Sequence, residues 1–313
     1  MKYVIKKIGT MIFTLCVVCF LIFGAFSLIP GDPALSRLGT QATESSLNAL
    51  REQMGLNRPF LVRFADWFVH ALAGDFGTSY SYNMPVSDMI LDKVPITITL
   101  TLLAFVLIVL VSIPLSIYSV MHENGPVDRG ILILNQILMA VPPFFSGMLI
   151  TFFFGIVLKW FVPGGFVSYK KSFSGFLGYM LFPAIAVALP KIAMTVKLFR
   201  KSLLQEKKKE YVRTAYSKGN DSRGVLYGHM MKNALIPVIT FLGMVLTDMI
   251  AGSIIIEQVF NIPGLGRILM TSISNRDYPV VEAIVLCIAV LVIVVNFLVD
   301  VLYHVIDPRM RTE

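Results

Sequence analysis

Six long apolar stretches constrain the fold of this 313-residue chain more than any other feature of its sequence. A helix needs about 20 mainly apolar residues to cross the hydrocarbon core of a bilayer. The composition agrees, because only 15% of the residues are charged, against about a quarter in soluble domains. We therefore predict an all-α polytopic membrane protein with six transmembrane helices, at about 8–29, 96–120, 131–158, 177–197, 237–257 and 281–304.

Prolines mark the two least regular of these predicted spans. The third contains Pro142-Pro143, which predicts a kink at that point. The fourth contains Pro183, Pro190 and Lys191, so it is the weakest of the six predictions.

The first apolar stretch is interpreted as an uncleaved transmembrane helix. A secretory signal peptide also begins with basic residues, but its apolar core is about 7–15 residues long and ends at a small-residue cleavage site. Here the run extends from about Ile8 to Ile29 and is followed by Pro30. The length therefore favours a membrane span.

Basic residues predict how the chain is oriented in the membrane, since cytoplasmic loops are enriched in lysine and arginine. From Lys197 to Lys232 there are ten basic and three acidic residues, a net +7 out of +8 for the chain. This places residues 198–236 and both termini in the cytoplasm. The predicted outer segments are 30–95, 159–176 and 258–280, although Lys159, Lys170 and Lys171 then lie outside.

The predicted division of the chain follows from these spans. Within its long outer loop, Thr43–Leu56 is predicted to form a helix capped by Ser46. The aromatic face of residues 59–77 is predicted to pack on other outer loops in preference to lying on the membrane. The parts are an N-terminal helix (1–29), an extracytoplasmic loop region (30–95), a five-helix core (96–304) containing the segment 198–236, and a cytoplasmic tail (305–313).

The sequence contains no catalytic motif that we recognise. It has no GxxxxGK[ST] phosphate loop, no HExxH and no GxSxG. Cys16 and Cys19 form a CxxC, but no further soft ligands are near them, so no metal site is predicted. These absences favour a conduit, a receptor or a scaffold over an enzyme, and a chain that does not bind nucleotide by itself.

Asp248 is a charged residue within the predicted fifth span. A charge at a helix centre costs about 2.5–3.5 kcal/mol on insertion scales. Asp248 is a candidate pathway residue that would attract a cation, such as a peptide amino terminus or a metal ion. The simpler alternative is an interhelical hydrogen bond, to Lys191 or to a threonine.

The basic segment 200–236 is predicted to form two short helices. No proline or glycine interrupts Ser202–Lys218, and a turn at Gly219 follows. Asp221 or Ser222 is suited to cap the second helix, which is predicted to end near Ala234.

This segment has three alternative roles on spacing alone. It could dock into a cytosolic partner, with Ala215 in an apolar patch that lets the partner's backbone approach. It could instead be a solvated basic loop or bind anionic lipid.

The spacing Ala215-x3-Gly219, followed by Pro237, resembles the cytoplasmic signature of ABC-importer permeases. Arg213-Thr214 replaces the Glu-Ala of the general motif, as in the peptide/nickel branch. Further stretches resemble that branch, in order: PGDPA (Pro30–Ala34), LREQMGLNRP (Leu50–Pro59), GDFGTS (Gly74–Ser79), VFNIPGLGRIL (Val259–Leu269), NRDYPVV (Asn275–Val281) and DVLYHVIDPRMR (Asp300–Arg311).

The resemblance covers essentially the whole chain and implies the first of two homologous permease subunits of a dipeptide/oligopeptide/nickel-type ABC importer. The implied fold is the type I importer permease, with a large extracytoplasmic loop after helix 1. The implied partners are a second permease, two ABC ATPases, an extracytoplasmic substrate-binding protein and membrane lipid, with no nucleic acid. ATP and magnesium would be bound by the ATPases, and this chain would bind no cofactor. The implied location is the bacterial cytoplasmic membrane.

The resemblance also implies site residues. The ATPase-coupling residues would be Tyr211, Val212, Arg213, Thr214, Ala215, Lys218 and Gly219. Those on the outer, gating or binding-protein side would be Pro263, Gly264, Gly266, Arg276 and Asp277. Asp248 lies where this branch would have an apolar residue, so its role is particular to this sequence.

The expected cargo is peptide, with nickel or a metal chelate as the alternative. Two rivals belong to other classes of protein. A secondary transporter would show inverted repeats and broken helices, and a membrane-embedded enzyme would need a catalytic set.

Overall fold

The computed structural model describes residues 2–28, 33–38, 42–53 and 55–306. Pro30 to Asp32 of the PGDPA motif and the tail from residue 307, including all of DPRMR, lie outside these ranges. The described residues are mainly helical, with one isolated β-bridge between Thr78 and Pro85.

The described chain forms fourteen α-helices, and two of them continue into a π-helical turn. The π turns are Thr151–Val157 after α8 and Leu226–Met230 between α11 and α12. The helices are α1 (Lys2–Leu28), α2 (Pro33–Leu38), α3 (Glu44–Gln53), α4 (Phe60–Leu72), α5 (Val86–Leu91), α6 (Val94–Met121), α7 (Pro126–Ala140), α8 (Pro143–Ile150), α9 (Phe173–Lys207), α10 (Glu210–Ser217), α11 (Ser222–Val225), α12 (Met231–Val259), α13 (Leu265–Ser274) and α14 (Tyr278–Ile306).

These helices belong to two compact units. The first comprises Met1–Thr97 and Pro263–Phe297, and the second comprises Ile98–Ile262 and Leu298–Glu313. Helices α6 and α14 each contribute to both units. The division into loop region and core made from the sequence stays a prediction.

In the first unit, α4 packs its aromatic face on α1. The ring centroids of Phe20 and Phe64 are 5.2 Å apart, and those of Phe23 and Trp67 are 5.4 Å apart. Such tilted and edge-on pairs contribute beyond the apolar area that they bury. The sequence predicted packing on other outer loops, and this is wrong about the partner: the face packs on α1, because α1 presents the apolar rings.

The cap of α3 differs from the prediction. The helix begins at Glu44, two residues before Ser46, and the Thr43 hydroxyl accepts from the Ser46 backbone N–H at 3.4 Å. Thr43 is therefore the capping residue.

In the second unit, α9 is the central helix and packs against α7, α8 and α12. It runs without a break over both Pro183 and Pro190, which are buried. Small buried residues between them, Ala184, Ala186 and Ala188, let neighbouring helices approach closely. The fourth predicted span is therefore a complete helix despite its prolines.

The third predicted span is broken. Helices α7 and α8 are bent by 103° at Pro142-Pro143, where the sequence predicted a kink. The described residues thus contain five helices long and apolar enough to cross a membrane, or six if this bent pair is one span. The other five predicted spans each correspond to one of those helices.

Two glycines of α12 provide a matched test of the packing in the second unit. A Cβ on Gly243 would overlap the Val299 side chain, whereas Gly252 has no described atom within 4 Å of that position. We expect Gly243→Ala to lower the apparent melting temperature of the purified protein, since overpacking costs about 1–3 kcal/mol. Gly252→Ala should leave it unchanged or raise it slightly. Equal shifts in circular-dichroism melting curves would contradict the close packing at Gly243.

Candidate functional site

The predicted cytoplasmic segment turns sharply between α9 and α10. The sequence predicted one uninterrupted helix over Ser202–Lys218, but α9 ends at Lys207 and α10 begins at Glu210. Glu206 explains the break. Its buried carboxylate accepts from Lys209 Nζ at 2.6 Å and from the Tyr211 hydroxyl at 2.5 Å, so these two side chains fold back onto the end of α9.

Tyr211 connects α10 to two long helices at once. Its hydroxyl donates to Glu206 on α9 and accepts from Asn233 Nδ2 on α12 at 3.2 Å. Burial and the Glu206 carboxylate raise the pKa of the Tyr211 hydroxyl, so it stays protonated and able to donate at neutral pH. The Ser202 hydroxyl adds a second link between the long helices, because it donates to the Ala234 carbonyl at 2.9 Å.

The residues of α10 divide into a buried and an exposed face. Val212 and Ala215 are only 1% and 5% exposed within the chain itself. The apolar patch predicted to meet a partner therefore already packs inside the protein, and Ala215 permits close packing of the chain's own segments. The exposed side chains of the predicted coupling set are those of Arg213, Thr214 and Lys218, and Gly219 is exposed beside them.

The turn after α10 has the predicted geometry. Gly219 has a φ of 84°, and no described atom lies near its missing Cβ, so its requirement is conformational. Asn220 Nδ2 donates to the Ala215 carbonyl at 3.2 Å. Asp221 caps α11 by accepting from the Gly224 N–H at 2.9 Å. Of the two predicted caps, Asp221 is the one used.

The second predicted short helix is not separate. A single helical run extends over Ser222–Val259, so there is no break near Ala234 or at Pro237. Proline within a membrane helix is tolerated where neighbouring side chains satisfy the freed backbone groups. Pro237 frees the carbonyl of Asn233, and the Ser202 hydroxyl donates to the next carbonyl, that of Ala234.

A buried ion pair near the start of α7 was not identified from the sequence. Arg200 binds Asp128 with both ends of its guanidinium group, Nε to Oδ1 at 2.8 Å and Nη2 to Oδ2 at 2.6 Å. Ser119 on α6 also donates to Asp128. This cluster fixes α6, α7 and α9 to one another on the predicted cytoplasmic side. The sequence feature that could have indicated this ion pair is an aspartate in the first turn of a predicted helix.

In the first unit, Asp277 anchors a loop that is distant in sequence. Its carboxylate accepts from the Ser79 hydroxyl at 2.5 Å, from Tyr80 N at 2.9 Å and from Ser81 N at 3.2 Å. Asp277 is completely buried, whereas Arg276 beside it is exposed and has a φ of 55°. The structure thus joins the motifs NRDYPVV and GDFGTS and leaves Arg276 as the accessible member of the predicted pair.

The glycines of the predicted outer turn have no unusual backbone. Gly264 has a φ of −93° and precedes α13 as its N-cap, a conformation open to any residue. Gly264 and Gly266 are both buried, and the next amide, that of Leu265, donates to Thr97 Oγ1 at 3.0 Å. The backbone conformation at position 264 therefore does not require glycine, and the structure shows that the residue is buried.

Asp248 forms an ion pair with Lys191 across α12 and α9. This confirms the simpler of the two interpretations made from the sequence. The pathway role of Asp248 is a separate question and stays a prediction.

Two family models match nearly all of the chain. The model of the binding-protein-dependent transport system inner membrane component matches residues 112–312, and the model of the N-terminal part of these components matches residues 1–101.

Curated relatives match over almost their full length. A probable peptide ABC transporter permease protein of Sinorhizobium fredii is 33% identical over 309 residues, which are 99% of each chain. An oligopeptide transport system permease protein of Bacillus subtilis is 33% identical over 312 residues, again 99% of each. A glutathione transport system permease protein of Salmonella typhi is 34% identical over 311 residues, with the same coverage.

Glu206 and Glu210 provide a matched test of the turn before α10. We expect Glu206→Gln to speed amide hydrogen exchange across residues 208–218 by about tenfold or more, since losing a hydrogen bond to a charged group costs about 1.5–3 kcal/mol. Among the described residues, the exposed Glu210 carboxylate pairs with the exposed Arg213 alone, so Glu210→Gln should change exchange little. The measurement is hydrogen-exchange mass spectrometry on the protein in lipid nanodiscs, and equal exchange in both variants would contradict the anchoring role.

Asp277 and the exposed Asp88 provide a matched test in the first unit. Asp277→Ala leaves one hydroxyl and two amides without their acceptor, so proteolysis within residues 74–84 should become at least about fivefold faster. Asp88→Ala removes a surface carboxylate and should have no such effect. Limited proteolysis followed by mass spectrometry measures both rates. Unchanged cleavage in Asp277→Ala would show that the loop does not depend on this carboxylate.

Proposed function

The chain belongs to the family of binding-protein-dependent transport system inner membrane components, and we propose that it is the permease subunit of an ATP-driven peptide importer. As such it is a multi-pass membrane component of a transport system. In this proposal it forms the substrate pathway together with a homologous second permease.

One observation carries the proposed coupling mechanism. Through its hydroxyl, Tyr211 of α10 contacts both Glu206 at the end of α9 and Asn233 near the start of α12. A force applied to α10 therefore acts on two long helices through short polar contacts. ATP-dependent closure of two partner ATPases would supply that force, and it would bias the bundle only as far as ATP binding differs between its two states.

The proposed docking surface is the exposed face of α10 and the turn after it. Arg213, Thr214, Tyr216 and Lys218 are all exposed, and the Arg213 side chain is 76% exposed. The buried Val212 and Ala215 hold this face in position from behind, and Gly219 sets the turn that ends it. Two cations on this surface suit an acidic groove on the ATPase.

The remaining partners are proposed on the same basis. ATP and magnesium would be bound by the ATPases, and this chain would bind neither. Both termini and the segment 198–236 would lie in the cytoplasm of a bacterial cell, and an extracytoplasmic binding protein would dock on the opposite side. Within the predicted outer set Arg276 is exposed and Pro263 is half-buried, whereas Gly264, Gly266 and Asp277 are buried and would act there through the fold.

Peptide is the proposed cargo because the relatives are named for peptides, oligopeptides and glutathione, which is itself a small peptide. Nickel or a metal chelate is the alternative cargo, and uptake assays with both types of substrate separate the two.

The docking surface is tested by reversing its charge. We expect Arg213→Glu and Lys218→Glu together to reduce ATP hydrolysis stimulated by loaded binding protein by about tenfold or more, because like charges would then meet across the interface. Lys201→Glu reverses an exposed lysine on α9, outside the proposed surface, and should retain most of the stimulation. The assay uses the complete reconstituted transporter.

Assembly is measured in the same preparations by co-purification of the ATPases. Loss of stimulation in the double variant, with or without loss of the ATPases, supports α10 as the coupling element. Stimulation and assembly equal to the parent would overturn that assignment. A parent complex that takes up no peptide would overturn the cargo and leave the coupling test intact.

A further inference from the structure

The ion pair between Lys191 and Asp248 lies within the second unit. It joins α9 to α12, and about 24 Å of helix separates Lys191 from Lys207 and Asp248 from Lys232. Both of those lysines lie at the predicted cytoplasmic ends of their helices. Both residues lie inside the predicted fourth and fifth spans, 177–197 and 237–257.

The two partners of this pair differ in exposure. The Lys191 side chain is 21% exposed, but that of Asp248 is 65% exposed. Among the residues that the structure describes, Lys191 is the one polar partner of the Asp248 carboxylate. One side of the carboxylate is thus exposed at the surface of α12.

Lipid is a poor neighbour for this open side. A charged residue within a membrane segment is costly and almost always faces a bundle interior or a water-filled cavity. The surroundings of Asp248 agree, because the exposed stripe of α12 mixes small, polar and apolar side chains. At helical spacing it contains Thr240, Met244, Asp248, Ala251, Ile255 and Gln258.

The exposed face of the bent α7–α8 pair provides a contrast within the same unit. It presents large apolar side chains, as expected of a surface in contact with lipid. They include Ile133, Ile137, Phe144, Phe153 and Ile156. The stripe of α12 has a different composition, so it is the better candidate to line an aqueous pathway.

We propose that Lys191 and Asp248 form a subsite in the translocation pathway for a small zwitterionic peptide, with Asp248 receiving its ammonium group and Lys191 its carboxylate. This inference rests on the proposed function, since it takes the cargo to be peptide. It adds a place on this chain where the cargo's two charges are recognised.

The electrostatics of the pair suit such a substrate. When no peptide is bound, the two charges compensate each other and the pair carries no net charge. When a zwitterion enters, one ion pair is exchanged for two new pairs of opposite charge, so no charge is left uncompensated in a region of low dielectric constant. A lone carboxylate would instead hold any cation.

The first experiment measures which end of the peptide each residue contacts. The probe is trialanine, whose N-terminal and C-terminal methyl groups give separate NMR signals. Saturation-transfer difference NMR is recorded with the permease–ATPase complex in nanodiscs without binding protein, so that only pathway contacts contribute.

Each variant should affect one end of the peptide. We expect Asp248→Asn to weaken the transfer signal of the N-terminal methyl by about fivefold or more relative to the C-terminal methyl, and Lys191→Met to do the reverse. Lys197→Met changes an exposed lysine on the same helix and should alter neither signal. Equal effects on both ends, or none, would overturn the subsite.

A second experiment separates the subsite from a purely structural ion pair. In the complete transporter, the double variant Lys191→Met with Asp248→Asn removes both charges without leaving either unpaired. A structural pair predicts that trialanine uptake recovers in the double variant, whereas the subsite predicts a loss of about tenfold or more that persists.

The remaining outcomes are distinguishable. Loss of the second permease from Asp248→Asn preparations would show that Asp248 contacts that subunit, and this would overturn the subsite. If the parent transports trialanine and all variants transport it equally, this inference fails and the proposed function stands. If the parent transports no peptide, the proposed function fails, and the subsite fails with it.

Discussion

The packing of α9 against α12 is the constraint on which the second unit depends. Helix α9 is buried along most of its length, and small side chains around its two prolines allow α12 to lie close to it. Polar contacts then fix the two helices at separate levels. Ser202 bonds to Ala234 near one end, and Lys191 pairs with Asp248 further along. Because close-packed interiors transmit displacement, movement at one end of this helix pair reaches the other.

The sequence predicted the long helices well because membrane spans depend on local composition. About 20 apolar residues suffice to predict a span whatever the rest of the chain does. The same reasoning located the bend at Pro142-Pro143 and the turns at Gly219 and Asp221, since proline, glycine and a capping aspartate act on their nearest neighbours. The angle of the bend, 103°, could not be predicted from the sequence pattern.

The candidate site was less predictable, because its side chains are positioned by residues distant in sequence. The break after Lys207 depends on where Glu206 is buried, and the burial of Val212 and Ala215 depends on the segment that packs over them. The position of Asp277 likewise depends on its hydrogen bond with Ser79, which is almost two hundred positions away in the sequence. Resemblance to a family singled out the motifs that contain Ala215, Ser79 and Asp277. It gave no indication that Ala215 and Asp277 face inward while Arg213 and Arg276 face outward.

The π turn at Leu226–Met230 sets the rotational register of everything beyond it in α12. A π turn contains one residue more than an α turn, and each residue of an α-helix advances the side-chain direction by about 100°. If this turn were an ordinary α turn, the rest of α12 would be rotated by that angle about its own axis. Asp248 would then point away from Lys191, and Gly243 would no longer face Val299. One extra residue near the start of this helical run therefore decides which face of the helix is presented along the whole length of the span.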